Sequence, residues 1–205
     1  MLIGIVHTPL SNTGSLKNIL SKIDCKTLLI KSSEEIDNVD ALIIPGVGSF
    51  PAVKEYLDKN KISEKIVYFA QVTKKPVLGI CLGMHLLMKV SLEYQETYGL
   101  NFFEGSVERI KPKQTERSIH MGWNSVHFDE DCLLFKDIPQ DTDFYFVHSY
   151  QVLTDSKYVR AITPYAGGIN SVIEKRNIFG VQFHPEKSQK NGKKLLKNFV
   201  DLIYA

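Results

Sequence analysis

The 205-residue chain carries 25 lysines and arginines against 23 aspartates and glutamates, a formal net charge of +2, and its residues are 43% hydrophobic. That balance describes an ordinary globular chain with no basic stripe, and it excludes a bias toward nucleic acid or membrane surfaces. The three cysteines, Cys25, Cys81 and Cys132, are odd in number and far apart, which excludes a disulfide framework and a zinc site and fits a reducing cytoplasm. Met1 to Leu10 lacks a charged leader, and no apolar run reaches the roughly 18 residues needed to span a bilayer, so a cytoplasmic protein is expected. Without repeats, low-complexity tracts or linkers, residues 1–205 are read as a single domain with no metal-ligand spacing and no cofactor motif.

Leu2 to Val6 reads as a buried strand, followed by a polar turn from His7 to Gly14 and a helix from about Ser15 to Lys22. Lys26 to Ile30 and Asp40 to Ile44 are further strands. The second of these ends in Pro45-Gly46-Val47-Gly48-Ser49, after which a helix begins near Pro51. Strand, turn and helix alternate up to Cys81, which predicts a parallel sheet with helices on both faces. In such sheets sites form beyond the carboxyl ends of the strands, so the turns at Thr8–Gly14, Gly46–Ser49 and Cys81 are expected to line one pocket. Beyond Gly99 short strands follow at Ser106–Ile110, Ser125–Phe128, Phe144–Val147, Val159–Ile162, Gly168–Glu174 and Asn177–Phe183. They predict an antiparallel extension, with a hairpin turn over Glu174 to Asn177. A last helix over about Lys190–Tyr204 places Leu195, Leu196, Phe199 and Ile203 on one face.

Pro76 to Met88 carries the chemistry. Val77, Leu78 and Ile80 form a continuous apolar run, as in a strand covered on both faces, and apolar residues from Leu82 onward fit a buried helix. Gly79 and Gly83 flank Cys81 and predict a nucleophile elbow with sulfur as the nucleophile, the glycines allowing a tight bend and close approach of substrate. Unpaired N–H groups at the helix start would favour a thiolate. A base is then needed among six histidines. In Gly180-Val181-Gln182-Phe183-His184-Pro185-Glu186, alternation puts Gln182, His184 and Glu186 on one side of an extended segment, and Pro185 marks its terminus. His184 could take the thiol proton and Glu186 could orient it. Read blandly, the same stretch is a solvated strand end, with Glu186 and Ser188 capping the next helix. The Gly46-Val47-Gly48 turn and the amide of Leu82 could hold an oxyanion, although a lone turn of this kind is ordinary. His7 and His127 read as loop or surface residues, Cys25 and Cys132 as structural ones, and Trp123 as a packing residue behind the pocket.

Pro45-Gly46-Val47-Gly48, Gly79-Ile80-Cys81-Leu82-Gly83-Met84 and Phe183-His184-Pro185-Glu186, in this order, resemble the class I triad glutamine amidotransferases. His120-Met121-Gly122-Trp123-Asn124, Tyr145-Phe146-Val147-His148-Ser149-Tyr150 and Gly180 to Ser188 are similar to the glutaminase subunits of imidazole glycerol phosphate synthase, a likeness spanning nearly the whole chain. The resemblance implies an α/β, flavodoxin-like fold: a doubly wound, mostly parallel sheet flanked by helices, with the antiparallel extension. It implies that Cys81 attacks the side-chain amide of glutamine, that His184 is base and then acid, and that Glu186 orients it. Val47, Gly48 and Leu82 would supply oxyanion N–H groups, on a strand whose peptide flips to complete the hole. Gly46, His85, His148, Ser149 and Tyr150 would line the glutamine pocket. Asn12, Ser15, Trp123, Asn124 and Lys187 would face a partner, a (β/α)8-barrel cyclase that receives ammonia through a closed path in a heterodimer.

Two departures stand out. The family's Asp-Tyr-Gly-x-Gly-Asn is His7-Thr8-Pro9-Leu10-Ser11-Asn12 here, which alters the loop facing the cyclase. His85 stands where the family has a glutamine that holds substrate, and an imidazole titrating near neutrality would make glutamine affinity vary between pH 6 and about 8. These changes keep other readings open. One is a paralogue feeding ammonia to a cyclase-like partner that modifies nucleotide sugars for surface polysaccharide. Another is a non-catalytic regulatory subunit, and a third is a free-standing glutaminase.

Overall fold

The computed structural model describes residues 1–205 apart from Leu10, Asn12, Gln114, Thr115 and Ala205. The chain opens with β1 (Leu2–Val6), α1 (Gly14–Ser21), β2 (Lys26–Ile30) and β3 (Ala41–Ile44), followed by α2 (Phe50–Lys59), α3 (Ile62–Gln71) and β4 (Val77–Ile80). The short α4 (Leu82–Leu86) leads into β5 (Met88–Ser91), β6 (Thr97–Tyr98) and β7 (Phe103–Arg109). The remainder is β8 (His120–Phe128), β9 (Thr142–His148), β10 (Tyr150–Leu153), β11 (Val159–Thr163), β12 (Ile169–Lys175), β13 (Ile178–Val181) and α5 (Gln189–Asp201).

A nine-stranded sheet runs in the order β2-β1-β3-β4-β13-β12-β11-β8-β9. From β2 to β13 every pairing is parallel, and from β13 to β9 every pairing is antiparallel. The antiparallel half therefore weighs as much as the parallel half. Alternation along the buried parallel strands divides the core between two faces. Ile3, Ile5, Ile43, Leu78 and Ile80 pack with Leu16 and Leu20 of α1 and Leu195, Leu196 and Phe199 of α5. Val6, Leu42, Ile44 and Val77 pack on the other face with Phe50, Val53 and Leu57 of α2 and Ile62, Ile66 and Phe69 of α3. Burying each of these large side chains contributes about 1.5–3 kcal/mol.

Apolar residues from Leu82 onward suit a buried helix, but α4 ends at Leu86. Beyond it the backbone is taken up by a second, four-stranded sheet in the order β10-β7-β5-β6. The carbonyls of Leu86, Leu87 and Met88 accept the N–H groups of Leu100, Phe102 and Asn101, which removes them from a helical ladder. No helix among the described residues is long and apolar enough to cross a membrane.

Register places the site. Ile43 of β3 lies opposite Ile5 of β1, Ile44 opposite Gly79, and Ile80 opposite Val181. The chain therefore leaves β3, β4 and β13 at one edge of the sheet, delivering Pro45 to Gly48, Cys81 and Gln182 to His184 to the same place.

Candidate active site

Cys81 sits between β4 and α4 with φ 53° and ψ −110°, a conformation that L-residues avoid. Its N–H donates to the Val181 carbonyl at 2.8 Å and its own carbonyl accepts the His85 N–H at 3.2 Å, so both sides of the strained residue are held. The glycines around this turn serve packing. A Cβ on Gly83 would fall on the Ile44 carbonyl oxygen, and one on Gly46 on the Leu82 Cβ. They let α4 lie directly against the end of β3, while the positive φ belongs to Cys81 itself.

A cavity of about 350 Å³ opens at this edge, lined by Gly46, Val47, Gly48, Cys81, Leu82 and His85 together with Val147 to Tyr150, His184 and Lys187. The expected Thr8–Gly14 turn is not among its lining residues. Thr8 and Ser11 close that turn on themselves, the Thr8 N–H donating to Ser11 Oγ at 2.9 Å and Ser11 Oγ to the Thr8 carbonyl at 2.8 Å. Leu10 and Asn12 lie outside the described residues. The β9–β10 junction takes its place, together with Glu93 and Tyr94.

His184 and Glu186 come together through a single 3-10 turn, Pro185–Lys187, instead of an extended strand, because β13 ends at Val181. His184 Nδ1–H donates to Glu186 Oε1 at 2.8 Å, which leaves Nε2 as the ring nitrogen available to Cys81 across the cavity. Burial alone would pull this imidazole down. The charge and hydrogen bond of Cys81, with Glu186 behind, outweigh burial and hold it up at about 10. Ser188 does not cap α5 through its side chain. Its Oγ donates to the His184 carbonyl at 2.7 Å and accepts the Tyr145 N–H at 3.0 Å, while the His184 N–H donates to the Tyr145 carbonyl at 2.9 Å. His184 is thereby tied to β9.

The other histidines are engaged elsewhere. His148 Nδ1–H donates to the Tyr150 carbonyl at 2.8 Å, so its Nε2 accepts from His120 Nδ1–H at 2.9 Å, and His120 Nε2 accepts from Asn124 Nδ2 at 3.3 Å. Burial holds His148 down at about 3 and His120 at about 4, and the chain of neutral rings fixes one tautomer after another. His148 has both nitrogens committed and lines the cavity without a free acid or base. His127 is exposed and paired with Asp141, and His7 Nδ1 lies 3.3 Å from Ser11 Oγ. His85 is 4% exposed, and burial holds it near 4 despite a hydrogen bond to Gln182. Titration near neutrality is thereby overturned: burial leaves the ring too little water to solvate its charge.

Glu93 escaped the sequence reading. It is 7% exposed, lines the cavity, and accepts the Phe50 N–H on Oε2 at 3.1 Å. Burial raises its carboxyl above the ordinary range, against the lowering effect of that N–H. It stands in a turn between two short strands, where the sequence carries no periodic signal. Trp123 is on the surface at 48% exposure, not behind the pocket. Its ring lies 6.0 Å from that of Tyr145, with Lys187 Nζ 5.7 Å from the Tyr145 centroid. Ser15 joins Val47, Glu186 and Lys187 around a small neighbouring cleft, and Asn124 is half-buried.

The family model described as glutamine amidotransferase class-I matches residues 6–202. A Vibrio vulnificus protein named imidazole glycerol phosphate synthase subunit HisH 2 is 39% identical over 204 residues, covering 99% of this chain and 95% of the relative. The HisH subunit of Methanocaldococcus jannaschii is 41% identical over 204 residues, covering 98% of this chain and 100% of the relative. A crystal structure titled glutamine amidotransferase superimposes with a TM-score of 0.78 at 17% identity, over 99% of both chains, a likeness of fold. The chain belongs to the class-I glutamine amidotransferase family, on the branch of the imidazole glycerol phosphate synthase subunits HisH.

Proposed function

We propose that residues 1–205 form one amidotransferase domain that hydrolyses L-glutamine in histidine biosynthesis and passes the ammonia to a (β/α)8-barrel cyclase. The observation that carries the chemistry is the convergence of Cys81 and His184 on one cavity, with Glu186 hydrogen-bonded behind His184 and the imidazole held up at about 10 beside the sulfur. The Cys81 sulfur attacks the side-chain amide carbon, and the carbonyl π electrons move onto oxygen. His184 gives its proton to the departing nitrogen, and ammonia and a glutamyl thioester result. His184, now neutral, takes a proton from water as that water attacks the thioester. Glutamate leaves and the Cys81–His184 pair is restored.

The oxyanion is assigned to the N–H of Leu82, which has no intrahelical partner at the start of α4, and to the Val47–Gly48 peptide. Gly48 has φ 102°, a conformation that glycine adopts freely, so this peptide can rotate with little strain. Glu93 supplies a counter-charge for the substrate ammonium, and Gly46, Ser149 and Tyr150 complete the wall. The exposed Trp123, with Asn124, Lys187, Ser15 and Asn12, is assigned to the cyclase-facing surface of a heterodimer. Three free, buried cysteines suit a reducing cytoplasm.

The names of the relatives favour the histidine pathway over nucleotide-sugar modification, and the assembled triad favours an enzyme over a regulatory subunit. The test incubates the purified chain with glutamine and the host's histidine-pathway cyclase, with and without cyclase substrate, and scores glutamate and imidazole glycerol phosphate together. Equal amounts of both, absent for Cys81→Ala, are expected. Glutamate release without any partner would point to a free-standing glutaminase. No coupling to a cyclase that works with added ammonia would point to another acceptor.

A further inference from the structure

We propose that His85 is a positioning residue of this site: its Nε2–H holds the Gln182 side-chain amide so that the amide nitrogen is aimed at Cys81 Sγ. The inference rests on Cys81 being the nucleophile. Gln182 is fully buried, with its Oε1 2.9 Å from His85 Nε2 and its Nε2 3.9 Å from Cys81 Sγ. An amide has two ends of opposite polarity, and which one meets the sulfur matters. The nitrogen end donates to a thiolate, whereas the oxygen end would repel it. The neighbour of the oxygen end decides the orientation. A neutral imidazole carrying its proton on Nε2 can only donate there, so it selects Oε1 for itself and leaves the N–H groups for sulfur.

The other groups facing Cys81 come from separate elements. His184 and Lys187 follow β13, with Glu186 behind His184, His148 lies on β9 with His120 of β8 behind it, and Glu93 lies in the loop after β5. None of them shares a side-chain hydrogen bond with His85, so substituting His85 acts on the sulfur through Gln182.

The test follows iodoacetamide alkylation of the full-length chain across about pH 5–10, read by mass spectrometry on the Cys81 peptide. His85→Phe removes the donor and is expected to raise the pH of half-maximal alkylation rate by about one unit, the scale of one hydrogen bond to a charged group. Gln182→Leu should do the same, and the double variant no more than either alone, since both break one connection. His85→Asn reaches only the Nδ1 position and should behave as His85→Phe does, which keeps the test open if the phenylalanine variant fails to fold. A wild-type profile for a folded His85→Phe or His85→Asn, or additive shifts in the double variant, would overturn the inference. Glutamate release assayed with the partner separates the two layers. Full release by Cys81-alkylated protein would overturn the nucleophile assignment itself, whereas alkylation that abolishes release alongside an unmoved His85→Phe profile would overturn only the role of His85.

Discussion

Cys81 holds a backbone conformation with φ 53° and ψ −110°, which costs an L-residue on the order of 1–3 kcal/mol and persists because Val181 and His85 bind its two peptide groups. A glycine would carry no such cost. Cys81→Gly and Cys81→Ala should both abolish glutaminase activity, yet the glycine variant should melt about 2–4 °C or more above the alanine variant. Equal melting temperatures would show that the turn stores no strain. Glu93 offers a second prediction at this scale. If its carboxylate holds the substrate ammonium, Glu93→Gln should raise KM for glutamine by about tenfold or more while kcat falls much less, because the group binds without touching the reacting atoms. A large fall in kcat at constant KM would assign Glu93 to the chemistry instead. Cys81, His184 and Glu186 were legible because their neighbours in the chain, Gly79, Gly83 and Pro185, carry the mark of the turn. Glu93 and the partners of Gln182 were not, since their contacts come from elements 43 and 97 residues away.

Among the elements, α4 shows how closely the elbow is packed. Its five residues lie against the end of β3, and Gly83 faces the Ile44 carbonyl with no room for a methyl group. Gly83→Ala must push α4 off β3, which would displace Leu82 and Cys81 together. The expected result is loss of glutaminase activity with a melting temperature lowered by about 5 °C or more, in the range of overpacked cores; thermal melting beside a glutamate-release assay reads both. The strand–turn–helix alternation through Cys81 was readable from periodicity, and so was the hairpin that closes at Arg176 and Asn177 between β12 and β13. The four-stranded second sheet was not. Met88 to Ser91 follows directly on the helix and carries no strand signal of its own, and only the pairing of β5 with β7, 15 residues apart in sequence between Met88 and Phe103, makes it a strand.

For the whole molecule, burying three neutral imidazoles links stability to pH. His85 and His120 are held at about 4 and His148 at about 3, against about 6.5 in an unfolded chain. As pH falls below about 6.5 the unfolded chain takes up these protons while the folded chain does not, so stability drops until the folded values are reached. His184, held at about 10, has the opposite sign, but its contribution is complete below about 6.5 and does not offset that loss. The melting temperature should therefore fall by about 5 °C or more between about pH 6.5 and 5, before most carboxylates titrate. A flat profile across that window would mean that the three rings are not neutral and buried as described.

The sequence by itself determined the parallel strands, the elbow at Cys81, the His184–Glu186 pair and, through its motifs, the family. These follow from local rules: apolar runs, glycines around a sharp turn, and proline after histidine. Only the tertiary structure decided how the other buried histidines are engaged, because hydrogen bonds from β8, β9 and Gln182 commit His120, His148 and His85. It also decided that His85 stays uncharged, since a ring's titration depends on how much water surrounding elements exclude from it, and that exclusion is written in no local stretch of chain.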